Sequence, residues 1–335
     1  MHDLFPSRPA AIHRVRALLL AAAIYLLAWS VVPRLLTPGF PLDVVESLTW
    51  GHELQWGYYK HPPLAPWALY GFYRVFGHAG PYVLSQVCIA LTLWGVWCTG
   101  RRLLCPERAL MGTALTMATI FYTRPALEFN HNVAQMPLWA GIAWALLAAL
   151  QTGRLRYWIA LGLLAGLGML TKYSVAVLLG CLGLYVLLSP QRRVLARPGP
   201  WLAVALALLV LAPHLIWLQH TGWLPLAYAG SRTGGAASHP RSEALGFVGV
   251  QLLNHVPLAL ISAVALWPLW RRRRRAGAAD EGAPAWRLHT DWPAYLLVIA
   301  LAPGCQTALL GLSGIVRVRD MWGVPMWAFS GMLVA

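Results

Sequence analysis

Acidic residues are scarce in this 335-residue chain, which has only 11 Asp and Glu residues against 26 Lys and Arg residues. Charged residues of both signs make up 11% of the sequence, whereas 59% of the residues are hydrophobic. A soluble domain of this length cannot cover so much apolar surface, so we expect the lipid bilayer to be the solvent for most of the chain. The shortage of charge therefore excludes an ordinary soluble protein.

Metal-binding and nucleic-acid-binding patterns are also missing. The five cysteines lie in or beside apolar runs and show no C-x-x-C spacing, which argues against a disulfide framework or a zinc site. The net charge of +15 comes mostly from arginines in short segments between apolar runs, without a basic face or a recognition motif. We therefore predict no nucleic-acid partner and no cysteine-based metal centre.

Long apolar runs predict an all-α fold, a polytopic transmembrane helical bundle with about ten spans. The 18 tryptophans fit such a protein, because tryptophan is enriched at both membrane interfaces. The whole chain, 1–335, is expected to form a single domain. The predicted spans lie at about 17–36, 80–100, 108–123, 133–150, 157–171, 173–188, 201–218, 245–270 and 292–312, with a tenth beginning near 321.

The distribution of positive charge predicts the orientation of the bundle. With the N-terminus placed in the cytoplasm, 17 of the 26 Lys and Arg residues fall in inside segments, as the positive-inside rule requires. The unusual polar clusters then all fall on the outer side, beginning with an extended first periplasmic loop at 37–79. We expect a multi-pass protein of a bacterial inner membrane that works at its outer surface.

Residues 41–64 of that loop hold three of the 11 acidic residues, among several aromatic residues. Asp43 and Glu46 are three residues apart and share one face if the segment is helical, so both are candidate catalytic carboxylates. The alternative is a capping box, with Asp43 as the helix cap and Glu46 at its third position. The neighbouring Tyr58 and Tyr59 are candidate substrate contacts.

Lys60 and His61 stand directly before Pro62-Pro63, which restrict the backbone and fix where the two basic side chains point. Such a pair suits an anionic phosphate at the level of the lipid headgroups. Snorkelling of Lys60 to the interface is the simpler alternative. Lys172, at a second predicted outer turn, raises the same two possibilities.

A second polar cluster, with Glu128, His131 and Asn132, precedes the fourth predicted span. One histidine and one carboxylate make a thin metal site, so we predict none, although a divalent cofactor is left open. Hydrogen bonding to a sugar is more plausible, and a helix cap by Asn132 is an equally good alternative. His214, at the outer end of a later span, is expected to have a structural role.

Taken together, these segments resemble the polyprenyl-phosphate-sugar-dependent GT-C glycosyltransferases. More narrowly, the chain is similar to bacterial relatives of dolichyl-phosphate-mannose protein mannosyltransferase and lipid A aminoarabinose transferase. The resemblance runs from about residue 17 to 330. It is carried by Asp43-x-x-Glu46, GYYKHPPL at 57–64, FNHNVAQMPLW at 129–139, LTKYS at 170–174 and APHLIWLQH at 212–220.

The resemblance implies an enzyme that moves a sugar from a polyprenyl-phosphate carrier to a lipid, glycan or protein acceptor on the periplasmic side, with inversion. It places Asp43 as the catalytic base, with Lys60, His61 and Lys172 at the donor phosphate. Where the family often has Asp at the start of span four, this chain has Asn132, which cannot act as a base. Family members commonly continue beyond this length, so the chain is expected to be truncated at its C-terminus. A transporter or flippase of a polyprenyl-linked intermediate is the alternative.

Overall fold

The computed structural model describes residues 8–127, 129–233, 240–276 and 292–335, and within these ranges the chain is helical, without strands. The predicted all-helical bundle is thus confirmed. Short 3-10 turns lie at Gly77–Ala79, Ile120–Tyr122, Arg124–Ala126, Pro190–Ala196 and Asp320–Gly323. The α-helices are α1 (Arg8–Leu36), α2 (Leu42–Glu53), α3 (Leu64–Phe76), α4 (Gly80–Leu103), α5 (Pro106–Thr116), α6 (His131–Thr152), α7 (Leu155–Thr171), α8 (Val175–Leu188), α9 (Pro198–His220), α10 (Leu224–Thr233), α11 (Pro240–Ala276), α12 (Pro293–Leu312) and α13 (Ser330–Val334).

Six helical stretches of the described chain are long and apolar enough to cross a membrane, or seven if α8 and its bent continuation count as one span. The shorter apolar helix α7 has 17 residues. Eight of the predicted spans correspond to helices, but two do not. The span predicted over 108–123 ends as α5 at Thr116, and the run after 321 contains only 3-10 and turn structure before the five-residue α13.

The segment predicted as the loop 37–79 is mostly helical. Helix α2 begins directly after Pro41 and α3 directly after Pro63, since the fixed φ of proline suits the start of a helix and its missing N–H leaves no intrahelical bond unmade there. Helices α3 and α4 together form an apolar stretch of 40 residues, Leu64–Leu103. The region is therefore a pair of short helices joined by an irregular connection, residues 54–63.

Helix α6 lies at the centre of the bundle, and 72% of its apolar stretch is buried. Helices α7 and α9 approach closely because Gly162 and Gly166 face α9. A Cβ at Gly162 would lie 2.5 Å from the carbonyl oxygen of Ala203, and one at Gly166 would lie 2.7 Å from Val210 Cβ. Small residues four apart allow such backbone contact between membrane helices, where packing rather than the hydrophobic effect holds helices together.

The bundle has two chemically different ends. The end that we call the site end contains α2 with the connection 54–63, the start of α6, the α7–α8 turn and the C-terminus of α9. The opposite end, which we call the arginine end, contains the α6–α7 turn and the bent helix between α8 and α9. Its arginines include Arg102, Arg154, Arg192, Arg193 and Arg197.

Candidate active site

Residues from distant parts of the sequence come together at the site end. The first helical hairpin meets the start of α6, about 70 residues later, and the turn between α7 and α8, about 40 residues beyond that. Contacts between side chains define this cluster. Its members that the sequence predicted are Glu46, Tyr58, Tyr59, Lys60, His61, His131, Asn132 and Lys172. Asp43, also predicted, acts electrostatically on Lys60 and Lys172.

Asp43 and Glu46 lie in the first turns of α2 and have different surroundings. The helix is preceded by Pro41, and no side chain caps it, so the capping-box alternative does not occur. Asp43 is exposed. Glu46 is half-buried and accepts a hydrogen bond from Lys60 Nζ at 2.5 Å. One carboxylate is therefore open to an incoming molecule, whereas the other is neutralised by an ion pair.

Lys60 is held between a carboxylate and an aromatic ring. Its ammonium group pairs with Glu46 and lies 5.9 Å from the ring centroid of Tyr228 on α10. The hydrogen bond with Glu46 raises the pKa of Lys60, so this side chain is positively charged at neutral pH. The Tyr228 ring also lies 5.2 Å from the Tyr59 ring. Lys60 thus has specific partners, and simple snorkelling does not describe it.

His61 and His131 form a close pair of imidazole rings. Their centroids are 3.9 Å apart, and Trp50 packs edge-on against both rings. Burial, together with the charges of Lys172 and Lys60, lowers the pKa of His61 to about 3, so the ring is neutral at pH 7. His131 is buried, and its Nε2 has no hydrogen-bond partner among the described residues. His61 can hydrogen-bond a phosphate but does not add the positive charge expected from the sequence.

Lys172 reaches the start of α6 from the α7–α8 turn. Its Nζ donates a hydrogen bond to Asn132 Oδ1. Burial lowers the pKa of Lys172 to about 8, and the carboxylate of Asp43 opposes that shift. The partner amide is neutral, and within the described part of the chain Lys172 forms no ion pair. Of the two lysines in this site, Lys172 therefore has the charge that is less neutralised.

The start of α6 supports this lysine rigidly. Asn130, and not Asn132, caps the helix: its Oδ1 accepts hydrogen bonds from two backbone N–H groups, at 2.8 and 3.2 Å. The predicted cap at Asn132 is therefore wrong, and the Asn132 side chain is left to bind Lys172. One turn later the buried Gln135 accepts a hydrogen bond from Ser174 Oγ at 2.9 Å. This second bond fixes the α7–α8 turn to α6.

Tyr58 and Tyr59 occupy different positions although they are adjacent. Tyr58 is 4% exposed and stacks on Trp50, with ring centroids 5.4 Å apart and ring planes within 9°. Tyr59 is 56% exposed, at the surface. The preceding Gly57 lies flat against Trp217 of α9, where an added Cβ would be 2.4 Å from the ring. Tyr59 is therefore available to a substrate, whereas Tyr58 forms part of the wall of the site.

His214 on α9 connects two parts of the site. Its Nδ1 lies 2.6 Å from the carbonyl oxygen of Trp56, and its Nε2 lies 2.8 Å from the Tyr173 hydroxyl. Because a carbonyl only accepts, Nδ1 carries the proton, and Nε2 of the neutral ring accepts from the tyrosine. The structural role expected for His214 thus has a definite form, since one ring joins the connection 54–63 to the α7–α8 turn.

No group of three or more His, Cys, Asp or Glu side chains that could hold a metal ion occurs in residues 8–127, 129–233, 240–276 and 292–335. Glu128, which the sequence groups with His131 and Asn132, lies outside the residues that the structure describes. The described carboxylates of the site, Asp43 and Glu46, are both contributed by α2.

The sequence missed the groups that orient the predicted side chains. Trp50 was visible only as one of several aromatic residues, and the periodicity of α2 gives no sign that its ring contacts two histidines. Gln135 lies in the motif FNHNVAQMPLW, so its polarity within an apolar helix was an available signal. Tyr228 follows no motif, and only the fold shows that α10 returns to Lys60.

Residues 60–217 match the family described as dolichyl-phosphate-mannose-protein mannosyltransferase. The chain is 27% identical over 323 residues to the lipopolysaccharide core galacturonosyltransferase RgtA of Rhizobium johnstonii, covering 92% of this chain and 61% of that protein. It is 29% identical over 197 residues to the lipid A galacturonosyltransferase RgtD of the same organism, covering 54% and 39%. The chain thus spans less than two thirds of the length of either relative.

The fold is also that of a solved structure. The crystal structure of ArnT from Cupriavidus metallidurans bound to undecaprenyl phosphate matches with a TM-score of 0.67 and 16% identity, covering 95% of this chain and 59% of that one. The same protein in the apo state matches with a TM-score of 0.65 and 14% identity. At such low identity the likeness shows a shared architecture.

Proposed function

We propose that this chain, which is similar to GT-C glycosyltransferases, transfers a sugar from a polyprenyl-phosphate carrier to a cell-envelope acceptor. The observation that carries the proposal is the arrangement at the site end. The exposed carboxylate of Asp43 acts electrostatically on the half-buried Lys172, which donates a hydrogen bond to the neutral Asn132. A cation that forms no ion pair with the described residues, and a carboxylate close to it, are groups that suit sugar transfer from a phosphate.

Lys172 binds the donor phosphate in this proposal. The phosphodiester of the donor has one negative charge, and the released polyprenyl phosphate has up to two, so a fixed cation stabilises the departing group. The neutral His61, close to both lysines, contributes a hydrogen bond rather than charge. The positive charge of Lys60 acts less strongly on the phosphate, because Lys60 is already ion-paired with Glu46.

Asp43 acts as the general base on the acceptor. Its carboxylate takes the proton of an acceptor hydroxyl or amine while that atom attacks the anomeric carbon from the face opposite the phosphate. The bond between that carbon and the phosphate oxygen breaks, and the electron pair leaves with the polyprenyl phosphate. The configuration is inverted, and the remaining rate enhancement comes from holding the two substrates in line. Glu46 is a weaker candidate for this role because it is ion-paired.

The site is proposed to face the periplasm across a bacterial inner membrane, with the N-terminus in the cytoplasm. This orientation places the arginine end in the cytoplasm, as the positive-inside rule favours. A polyprenyl-phosphate donor is supported by the fold that the chain shares with ArnT, whose structure contains undecaprenyl phosphate. The names of RgtA and RgtD favour a uronosyl donor and lipopolysaccharide as acceptor.

The test is a comparison of envelope glycolipids by mass spectrometry. Membranes are taken from cells that express the wild-type chain, the Asp43→Asn variant or no copy. We expect a sugar-sized mass increment with the wild type, and a 10²- to 10⁴-fold lower transfer rate with Asp43→Asn at equal membrane abundance, because a general base contributes about that factor. A uronosyl increment on lipopolysaccharide would identify the substrate class.

Glu53→Gln is the matched control, because Glu53 is also an exposed carboxylate on α2 but lies in its last turn and accepts a hydrogen bond from Gln55. It should leave transfer unchanged. Transfer by Asp43→Asn at the wild-type rate would remove Asp43 from the mechanism. Movement of a labelled lipid-linked sugar across the vesicle membrane, without any covalent transfer, would instead support a transporter.

A further inference from the structure

A long apolar groove lies between α7, α8 and α9, away from the candidate active site. Its volume is about 490 Å³, and its lining is almost entirely apolar. Gly183 contributes no side chain to it, which leaves part of the α8 face open. The lining includes Leu161, Ala165, Leu179, Val204 and Leu208.

The groove occupies the half of the bundle near the arginine end. On α7 it extends from Trp158 to Ala165, in the first part of the helix, whereas Lys172 follows the last residue. Lys172 lies seven positions after Ala165 along the chain, which is roughly 10 Å at 1.5 Å per residue. The groove therefore does not reach the site, and its occupant is distinct from the group that binds Lys172.

The bent helix Pro190–Ala196 closes the groove at the arginine end. It makes an angle of 99° with α8, so it runs across the bundle rather than through it. Val194 and Leu195 line the groove, and Trp201 Nε1 donates a hydrogen bond to the Leu195 carbonyl oxygen at 2.9 Å. Hydrophobic residues of this turn thus face the groove.

Three arginines lie at this closed end, and none of them forms an ion pair with another residue that the structure describes. Arg192, Arg193 and Arg197 are exposed on or directly after the bent helix, and Arg197 also lies beside the α6–α7 turn. The ion pairs seen in the described part of the chain, Lys60–Glu46 and Arg317–Glu243, involve none of them. A concentrated positive charge next to a dry apolar groove is complementary to an anionic amphiphile.

We propose that this groove binds an anionic phospholipid from the leaflet at the arginine end. An acyl chain lies between α7, α8 and α9, and the phosphate is bound by Arg192, Arg193 and Arg197. Arginine suits this role because its planar guanidinium can donate two hydrogen bonds to one phosphate. A polyprenyl phosphate suits this site less well. If the arginines bound its phosphate, that phosphate would lie at the opposite end of the bundle from Lys172.

Native mass spectrometry of the purified chain tests the proposal, with dioleoylphosphatidylglycerol and dioleoylphosphatidylcholine as probes. The two lipids have the same acyl chains and differ in net charge. We expect phosphatidylglycerol to bind at least about ten-fold more tightly. A variant with Arg192→Gln, Arg193→Gln and Arg197→Gln should lose this preference, because each guanidinium contact with a phosphate is charge-assisted. Equal affinity of the wild type for the two lipids would overturn the proposal.

Two glycines of α8 provide a matched pair for the acyl chain. Gly183 lines the groove and Gly180 does not, and a Cβ at either position meets no heavy atom within 4 Å. Gly183→Leu should weaken phosphatidylglycerol binding at least about five-fold by filling the groove, whereas Gly180→Leu should not. Equal effects of the two substitutions would overturn the acyl-chain assignment, as would displacement of the bound lipid by one equivalent of undecaprenyl phosphate.

This experiment is independent of the proposed activity. Lipid binding is measured without turnover, so Asp43→Asn should bind phosphatidylglycerol as the wild type does. Size-exclusion profiles and thermal unfolding of each variant show whether a loss of lipid binding is due to the binding site itself or to misfolding of the protein. A correctly folded Gly183→Leu variant that retains full binding would contradict the proposal directly.

Discussion

The two ends of the bundle differ in how their positive charges are arranged. At the site end, Lys60 and Lys172 are partly buried, and their surroundings shift their pKa values in opposite directions. At the arginine end, Arg192 and Arg193 are exposed on a short bent helix, without a carboxylate in contact among the described residues. The comparison shows that the lysines have specific polar partners that set their protonation, whereas these arginines face the surroundings of the bundle.

Removing the charge of one lysine should have the largest effect. Lys172→Gln is expected to lower kcat/KM for sugar transfer by about 10²- to 10³-fold, as loss of a group that stabilises a developing anion does. Arg192→Gln, which removes one charge at the other end, should stay within about two-fold. Initial rates of transfer in detergent with a labelled donor lipid measure both. An equal loss of kcat/KM in the two variants would contradict a specific role of the site end in sugar transfer.

The pH dependence of transfer should reveal the lowered pKa of Lys172. Lysine is charged below its pKa, so with a value of about 8 the phosphate-binding cation is lost as the pH rises through 8. We expect kcat/KM to fall about ten-fold per pH unit above that point, since this parameter reports groups of the free enzyme. Lys172→Arg should keep its charge and extend the plateau to higher pH. An unchanged alkaline limb in that variant would assign the titration to another group.

A smaller effect is expected from the tight contact at Gly57. Gly57→Ala places a methyl group against the Trp217 ring and should destabilise the chain by about 1–3 kcal/mol, as overpacking usually does. Gly71→Ala on α3 is the control, because a Cβ there meets nothing within 4 Å. Thermal unfolding in detergent compares the two. A Gly57→Ala protein as stable as the wild type would show that the ring moves away freely.

The smallest effect is expected at Glu46. Glu46→Gln removes the ion pair with Lys60 but leaves Asp43 in place, so kcat should change by no more than about five-fold. The freed Lys60 should lower the KM for the donor, because an anionic phosphate gains an unpaired cation. Steady-state kinetics at saturating acceptor separate the two parameters. A loss of kcat as large as that of Asp43→Asn would make Glu46 a second catalytic carboxylate.

The helical, membrane-embedded architecture could be predicted from the sequence because apolar runs of about 20 residues have few alternatives. Two predicted spans failed for a physical reason. Composition does not distinguish a crossing helix from apolar 3-10 and turn segments that pack against other helices, as 117–127 and 321–329 do. The predicted loop 37–79 proved largely helical, since proline starts helices as well as ending them.

The members of the candidate site could be predicted, whereas their charge states could not. The motif around Lys60 and His61 shows two bases before two prolines, but only the fold shows that His61 is buried against His131 near Lys172. Likewise, Asn132 could be read as a helix cap until the structure placed Asn130 there. The protonation state of a side chain depends on its burial and on neighbours that are distant in sequence. The spacing of residues within a motif gives no information on either.

The double attachment of His214 has a consequence for how such proteins can diversify. The His214 ring contacts Trp56, four residues before Lys60, and Tyr173, the residue after Lys172. The distance between the two lysines is therefore restrained by residues that precede 221. After that point, the ring of Tyr228 on α10 contacts this cluster, beside Lys60 and Tyr59. We therefore expect insertions and deletions in α10 to change the surface beside Lys60 while the hydrogen bond between Lys172 and Asn132 is kept.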